Sequence, residues 1–349
     1  MATAFPVLPA ELALIASGAD AIISGSFIFA ALLFFTFWGA RRMRGKSKLQ
    51  EPLELTHSAT TTPKSGPEFP PVDATTVSAS TPDIYKGPAA SPLSVATEER
   101  QGIAQFLKVP VALYRPIDLP LIGLVFLIYF GLTAGGSGDD SKPLEEKFNA
   151  QVLIASIVFQ LMLGLMVIAF IRWRSSIRDW LGLRWKQWPL ALGIAPATVF
   201  LMWVLMIALN LIGWNAWLER SLGIESMQET VKLFKEAQSP LVLALMTVSA
   251  VVVAPIVEEV VFRGYLYPAA KKFCGPTGGI LFSSLVFAAA HGNVVALLPL
   301  FILAVLLCLI YESTGSIWAN ISVHFLFNAA TVTLQLLARS GIIDIPEPQ

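Results

Sequence analysis

Apolar residues dominate this chain in long unbroken runs rather than alternating with polar ones, and that pattern sets the first expectation. A helix that crosses a bilayer needs about 20 mostly apolar residues. Runs of that kind occur at 21–40, 117–134, 152–171, 189–213, 240–257, 279–290, 294–311 and 317–337, the sixth being short. The pattern predicts an all-α, polytopic transmembrane helix bundle of about eight spans. The stretch 47–100 breaks it: LTHSATTTPKSGPEFPPVDATTVSASTP is rich in Pro, Ser and Thr and has no apolar period. Such a segment cannot bury enough surface to offset its chain entropy. The expected organisation is a transmembrane anchor at 1–46, a disordered linker at 47–100 and a multi-helix membrane domain at 117–337.

Composition strengthens the membrane reading. Of 349 residues 55% are hydrophobic and 14% charged, where soluble domains carry roughly a quarter charged residues. Mean hydropathy is +0.67. The net charge is zero, which removes the basic footprint of a nucleic-acid binder. Cys274 and Cys308 are the two cysteines, without CxxC spacing, so they read as packing thiols.

Charge position says more than charge sum. RRMRGKSK follows the first run, RWRSSIRDWLGLRWK the third, and Arg263, Lys271 and Lys272 the fifth. Short cytoplasmic loops collect Lys and Arg. If the spans alternate, these three places share the cytoplasmic side, and both termini lie outside. Trp173, Trp180, Trp185 and Trp188 flank the third and fourth runs and read as an interfacial belt. The KKFCGPTGG segment, with Gly264 nearby, reads as a tight turn between helices.

The fifth run holds the candidate chemistry. Eighteen residues from 240 to 257 carry no charge, and then Glu258, Glu259 and Arg263 appear together. Ionisable groups at membrane depth are costly and rare. Glu259 and Arg263 are four apart, in the favourable order for an ion pair on one helix face. Glu258 points about 100° away, so one carboxylate is neutralised while the other is free to act as a general base. A helix end with charges reaching for the interface would give the same motif taken alone. Of the three histidines, His57 falls in the linker, but His291 and His324 both sit in apolar spans. Asn328 is one turn beyond His324, and an imidazole beside a carboxamide forms a pair of donors for an oxyanion.

Glu258-Glu259-x-x-x-Arg263, Phe287-x-x-x-His291 and His324-x-x-x-Asn328 resemble, in order, the three motifs of the CAAX prenyl endopeptidase and bacteriocin-processing family (CPBP, or Abi) of intramembrane proteases. The resemblance covers about 190–337. It implies an intramembrane endopeptidase in which Glu258 and His291 activate a water, His324 and Asn328 stabilise the oxyanion, Arg263 and Glu259 orient the constellation, and Phe287 packs beside it. It also implies a peptide or membrane-protein substrate, with or without a prenyl group, reaching the site from the cytoplasmic side of a bacterial membrane. Zinc held by His291, His324 and Glu258 is the second-choice mechanism, because no HExxH is present. A serine triad lacks an Asp in the later spans. A proton-coupled transporter and a non-catalytic scaffold or immunity protein are the competing functions. The depths do not match simply: Glu258 comes late in its run, so the fifth helix must extend past residue 261 or be tilted.

Overall fold

The computed structural model describes residues 10–49, 107–134, 148–222 and 229–343. The linker, its His57 and the acidic GGSGDDSKPLEEK loop fall outside the described residues. The chain divides into a unit made of Met1–Arg42 with Phe106–Gln349 and a second unit, Met43–Gln105; everything below concerns the first.

Every regular element among the described residues is helical: α1 (Ala10–Leu49), α2 (Asp118–Ala134), α3 (Ala150–Arg172), a single turn α4 (Ile177–Trp180), α5 (Ala191–Leu211), α6 (Trp214–Leu222), α7 (Glu229–Glu236), α8 (Pro240–Ala289), α9 (Val294–Thr314) and α10 (Ile317–Arg339). Polar caps separate the apolar runs. Asn149, Ser239, Asn293 and Ser316 each accept a hydrogen bond from the backbone of the helix that follows, satisfying N–H groups that a helix start leaves open. Six helices are long and apolar enough to cross a membrane, and α2 is a shorter apolar one. Six such helices make the chain an integral multi-pass membrane protein.

One expectation changes in an instructive way. The fifth run does not end near Val257. It continues as the first arm of α8, residues 240–274, so Glu258 stands inside a helix with about four further turns beyond it. Gly275, at φ 82°, reverses the chain, and a second arm, 276–289, runs back. The reversal is close: a Cβ on Gly279 would come 2.9 Å from the Lys271 backbone nitrogen. The short sixth span is this returning arm, and the awkward depth of Glu258 disappears.

The same finding corrects the charge reading. Arg263 and Lys271 are not loop charges; they are 1% and 6% exposed and paired within the bundle. Only Lys272 of that trio is exposed. Trp180, read as part of an interfacial belt, is likewise buried. Its indole donates to Gly264 O and to the Tyr114 hydroxyl.

One end of the bundle gathers the end of α1, the start of α2, the end of α3, the α8 reversal, the end of α9 and the start of α10. Arg41 lies against Gly275 and Phe37 against Gly278. Asp118 takes both Arg174 and Tyr265, and Ile317 N donates to Leu181 O. Exposed Arg41, Arg42, Arg172, Arg178 and Lys272 make this the basic end. The opposite end holds the 290–293 turn and α7, whose last carbonyls, on Phe234 and Lys235, accept Arg339 of α10.

Candidate active site

Two wide π-helical turns interrupt the first arm of α8, at Ser249–Val253 and Glu259–Leu266. Between them Ala254–Glu258 is ordinary α-helix. Such turns shift the hydrogen-bond ladder by one residue and leave carbonyls for other partners; they are frequent at functional sites. Here Ala250 O accepts the Asn328 amide at 2.8 Å, and Gly264 O accepts both Tyr114 and Trp180 at 2.8 Å. Burial lifts the Tyr114 phenol well above its ordinary range, so this donor stays neutral. Glu258 and Glu259 straddle the boundary between the α stretch and the second π turn.

The two neighbouring glutamates have different surroundings. Glu259 is fully buried. Its Oε1 accepts from Arg263 at 3.0 Å and from His324 Nδ1 at 2.9 Å, and its Oε2 from Asn320 at 3.3 Å. Glu258 is partly exposed and borders a cavity of about 560 Å³. Its Oε2 has no hydrogen-bond partner, and His324 Nε2 stands 3.8 Å away. The expected division, one carboxylate neutralised and one free, is the geometry found.

Arg263 is anchored on its other sides by Ala304 O, at 3.5 Å, and by the Phe287 ring, 4.4 Å from its guanidinium carbon. That buried cation over an aromatic face adds to the hold. Phe287 also meets the rings of His291 at 4.9 Å and His324 at 5.9 Å, so one phenyl group spaces three polar side chains.

His291 follows the returning arm, where Nδ1 lies 2.8 Å from Phe287 O. A carbonyl only accepts, so Nδ1 carries hydrogen and Nε2 is left as an acceptor in the neutral ring. By the same reasoning His324 donates from Nδ1 to Glu259 and presents Nε2. Glu258, His291, His324 and Asn328 all border the cavity. Glu259, Arg263 and Phe287 form the layer behind them.

Sequence reasoning missed Asn320. It lies one turn before His324 and bridges Glu259 Oε2 to Leu307 O, at 2.7 Å. The signal was present as a polar stripe, Asn320, His324 and Asn328, along one face of an apolar helix. Asn328, expected as a free oxyanion donor, spends one amide N–H on Ala250 O.

Zinc takes nitrogen and carboxylate donors of the kinds found here. A metal-ligating His commonly donates its other ring N–H to a carboxylate or carbonyl, as His324 Nδ1 does to Glu259 and His291 Nδ1 to Phe287 O. Among the described residues no three His, Cys, Asp or Glu side chains stand close enough together to hold one metal ion.

Fold and site together define a class: a multi-pass helical membrane protein whose interior holds a Glu-Arg-His-Asn centre beside a cavity. Comparison with known proteins adds a likeness over part of the chain. Residues 240–330, the segment holding all three motifs, match the family model described as "Type II CAAX prenyl endopeptidase Rce1-like". A Bacillus subtilis (strain 168) protein named "Putative membrane peptidase YdiL" is 29% identical over 92 residues, which is 26% of this chain and 38% of that relative. The chain thus spans well under half the length of that relative. No solved structure matches.

Proposed function

We propose that this chain is an intramembrane endopeptidase that hydrolyses peptide bonds with a water activated by Glu258. The observation that supports it most is the partition of the adjacent glutamates: Glu259 is saturated by Arg263, His324 and Asn320, while Glu258 borders the cavity and its buried Oε2, 3.8 Å from His324 Nε2, has no hydrogen-bond partner. A carboxylate left unsatisfied in a low-dielectric wall is a ready proton acceptor.

In this reading Glu258 takes one proton from a water, and His291 Nε2 accepts a hydrogen bond from the other, fixing the nucleophile. The hydroxide attacks the scissile carbonyl and places the negative charge on its oxygen. His324 donates to that oxyanion from Nε2 in its doubly protonated form, with the Glu259 carboxylate facing the ring's charge. The second N–H of the Asn328 amide adds another donor. Collapse of the tetrahedral species breaks the C–N bond, and the proton held by Glu258 passes to the departing amine. Arg263 holds Glu259 in place through its 3.0 Å hydrogen bond, and Phe287 fixes the ring positions. No step requires a metal.

The substrate class is a peptide or a membrane-protein segment, and a prenyl group enters only as a variable to test. The test is cleavage of a fluorogenic peptide library, farnesylated and unmodified, by the purified chain in nanodiscs. Wild type, Glu258→Gln and His324→Ala are compared with and without a strong chelator. Cleavage lost in both variants and indifferent to the chelator supports the proposal. Loss with the chelator and recovery with zinc would replace it by a metal mechanism. Folded protein that cleaves nothing would favour a scaffold or transporter.

A further inference from the structure

We propose that the cavity opens to the extracytoplasmic face, so that its substrate is an apolar peptide or membrane-protein segment presented from outside the cytoplasm. This rests on the peptidase reading for the word substrate, though not for the direction of the opening.

Three observations carry it. First, the cavity lies in the half of the bundle away from the basic end. It is bounded by Phe148, just before α3, and by Asn215 of α6, together with Leu233 and Phe234 of α7. Those residues belong to the connections at the opposite end, where the 290–293 turn and the α7–Arg339 contact also lie. Residues at the basic end do not border it: the Lys271–Glu312 pair and the Asp118–Arg174 pair are both absent from its wall.

Second, the exposed Lys and Arg side chains mark the basic end as cytoplasmic. Arg41 and Arg42 close the first span, Arg172 and Arg178 follow the third, and Lys272 sits at the α8 reversal. At the cavity end the 290–293 turn has no Lys or Arg. Residues 340–343, which follow Arg339, have none either. Arg220, Lys232 and Lys235 there are interspersed with Glu219, Glu229 and Glu236. Removing Arg263 and Lys271 from the tally, as their burial demands, leaves this asymmetry in place. It places Glu258 on the path from the outer face, in contrast to the access from the cytoplasmic side that the family resemblance implies.

Third, the lining selects chemistry. Away from the polar centre the wall is made of side chains such as Leu153, Met206, Leu209, Met246 and Phe327. Apolar walls with a few convergent polar groups accept apolar ligands and orient them at the polar point. An aliphatic or aromatic side chain beside the scissile bond fits this wall, and a charged one does not.

The test uses the full chain with both native cysteines replaced by alanine, expressed in intact bacterial cells. Single cysteines are introduced at exposed positions: Arg220→Cys and Ile342→Cys at the cavity end, Lys272→Cys and Arg178→Cys at the basic end. A membrane-impermeant maleimide is expected to label the first pair in intact cells and the second pair only after permeabilisation. Two positions at each end protect the result against one variant failing to insert. The reverse pattern, or equal labelling of both pairs in intact cells, overturns the proposal. A quenched, impermeant apolar peptide added outside the same cells should be cleaved with wild type and not with Glu258→Gln. If purified protein cleaves this peptide but intact cells do not, access from outside is overturned. If labelling follows expectation while purified protein cleaves no peptide, the direction of the opening stands and the peptidase reading falls.

Discussion

Glu259 and Glu312 are both buried carboxylates, each paired with a buried cation, yet their surroundings are built to different ends. Glu312 lies at the basic end. Its Oε1 accepts from Lys271 and, at 2.5 Å, from the Tyr267 hydroxyl; its Oε2 accepts from Val109 N at 3.2 Å. Lys271 also donates to Val109 O at 2.9 Å, and Lys108 N donates to Glu312 O at 3.2 Å. The residues 108–109 are thereby strapped across the end of α9, and neither Lys271 nor Glu312 borders the cavity beside Glu258. Glu259 is just as well satisfied, but the residue before it is not, and that residue borders a cavity with two histidines. A buried ion pair is thus weak evidence for a site, because desolvation can cancel its attraction and leave it a packing device. An acid beside the pair that borders a cavity and keeps one oxygen without a hydrogen-bond partner is what separates the two regions.

The sharpest way to break the comparison is to neutralise the odd carboxylate. Glu258→Gln keeps size and shape but removes the proton acceptor. Peptide cleavage should fall by on the order of 10²- to 10⁴-fold in kcat, with the thermal midpoint in detergent unchanged. A variant that kept activity would make Glu258 another structural residue and dissolve the distinction.

The reciprocal change belongs at the other cluster. Lys271→Met leaves Glu312 buried without its cation, a loss on the order of 3–5 kcal/mol. Little monodisperse protein is expected, while the molecules that fold should cleave at the wild-type rate. Adding Glu312→Leu should restore most of the yield, since a matched apolar pair relieves the stranded charge. Failure of the double variant to recover would show that the Val109 strap, and not the ion pair, fixes this end.

Asn320→Ala tests the layer behind the site. It leaves Glu259 Oε2 and Leu307 O without this donor, a cost of about 1–3 kcal/mol. His324 then loses part of what orients its partner carboxylate. A drop in kcat with little change in KM is expected, and Asn320→Gln should not rescue it, because the longer amide cannot bridge the same two acceptors. A purely structural role would lower the thermal midpoint and leave kcat per folded molecule untouched.

Much of this arrangement was legible in the sequence, for physical reasons. Spans could be read because bilayer thickness fixes run length, and Glu259–Arg263 because helical spacing makes i and i+4 neighbours. The extent of the fifth helix could not be read, since Arg263 and Lys271 look like the charges of a loop until their partners 41 residues onward, Ala304 and Glu312, are seen beside them. Trp180 misled for the same reason: an indole at the end of a span looks interfacial whether it faces lipid or a carbonyl. The π turns leave no signature in apolar periodicity, because Val and Ile fill both kinds of turn equally well.

The smallest expected effect concerns how that second π turn is held. Gly264 O, freed by the wide turn, takes one bond from Tyr114 and one from Trp180, which also donates to the Tyr114 hydroxyl. Trp180→Phe removes one donor and leaves the other, so about 1 kcal/mol of stability should go, with cleavage scarcely altered. Tyr114→Phe alone should behave similarly, and over a broad pH range, because its buried phenol stays neutral. The pair changed together strands a buried carbonyl in the turn that carries both Glu259 and Arg263. The combined loss should then exceed the sum of the single losses, by the non-additivity of groups that share a partner, and kcat should fall with it. Strict additivity, with kcat preserved, would mean that the turn is held by the packing of Phe262 and Tyr265 within the bundle, and that the tie to Gly264 plays no part in aiming the glutamates.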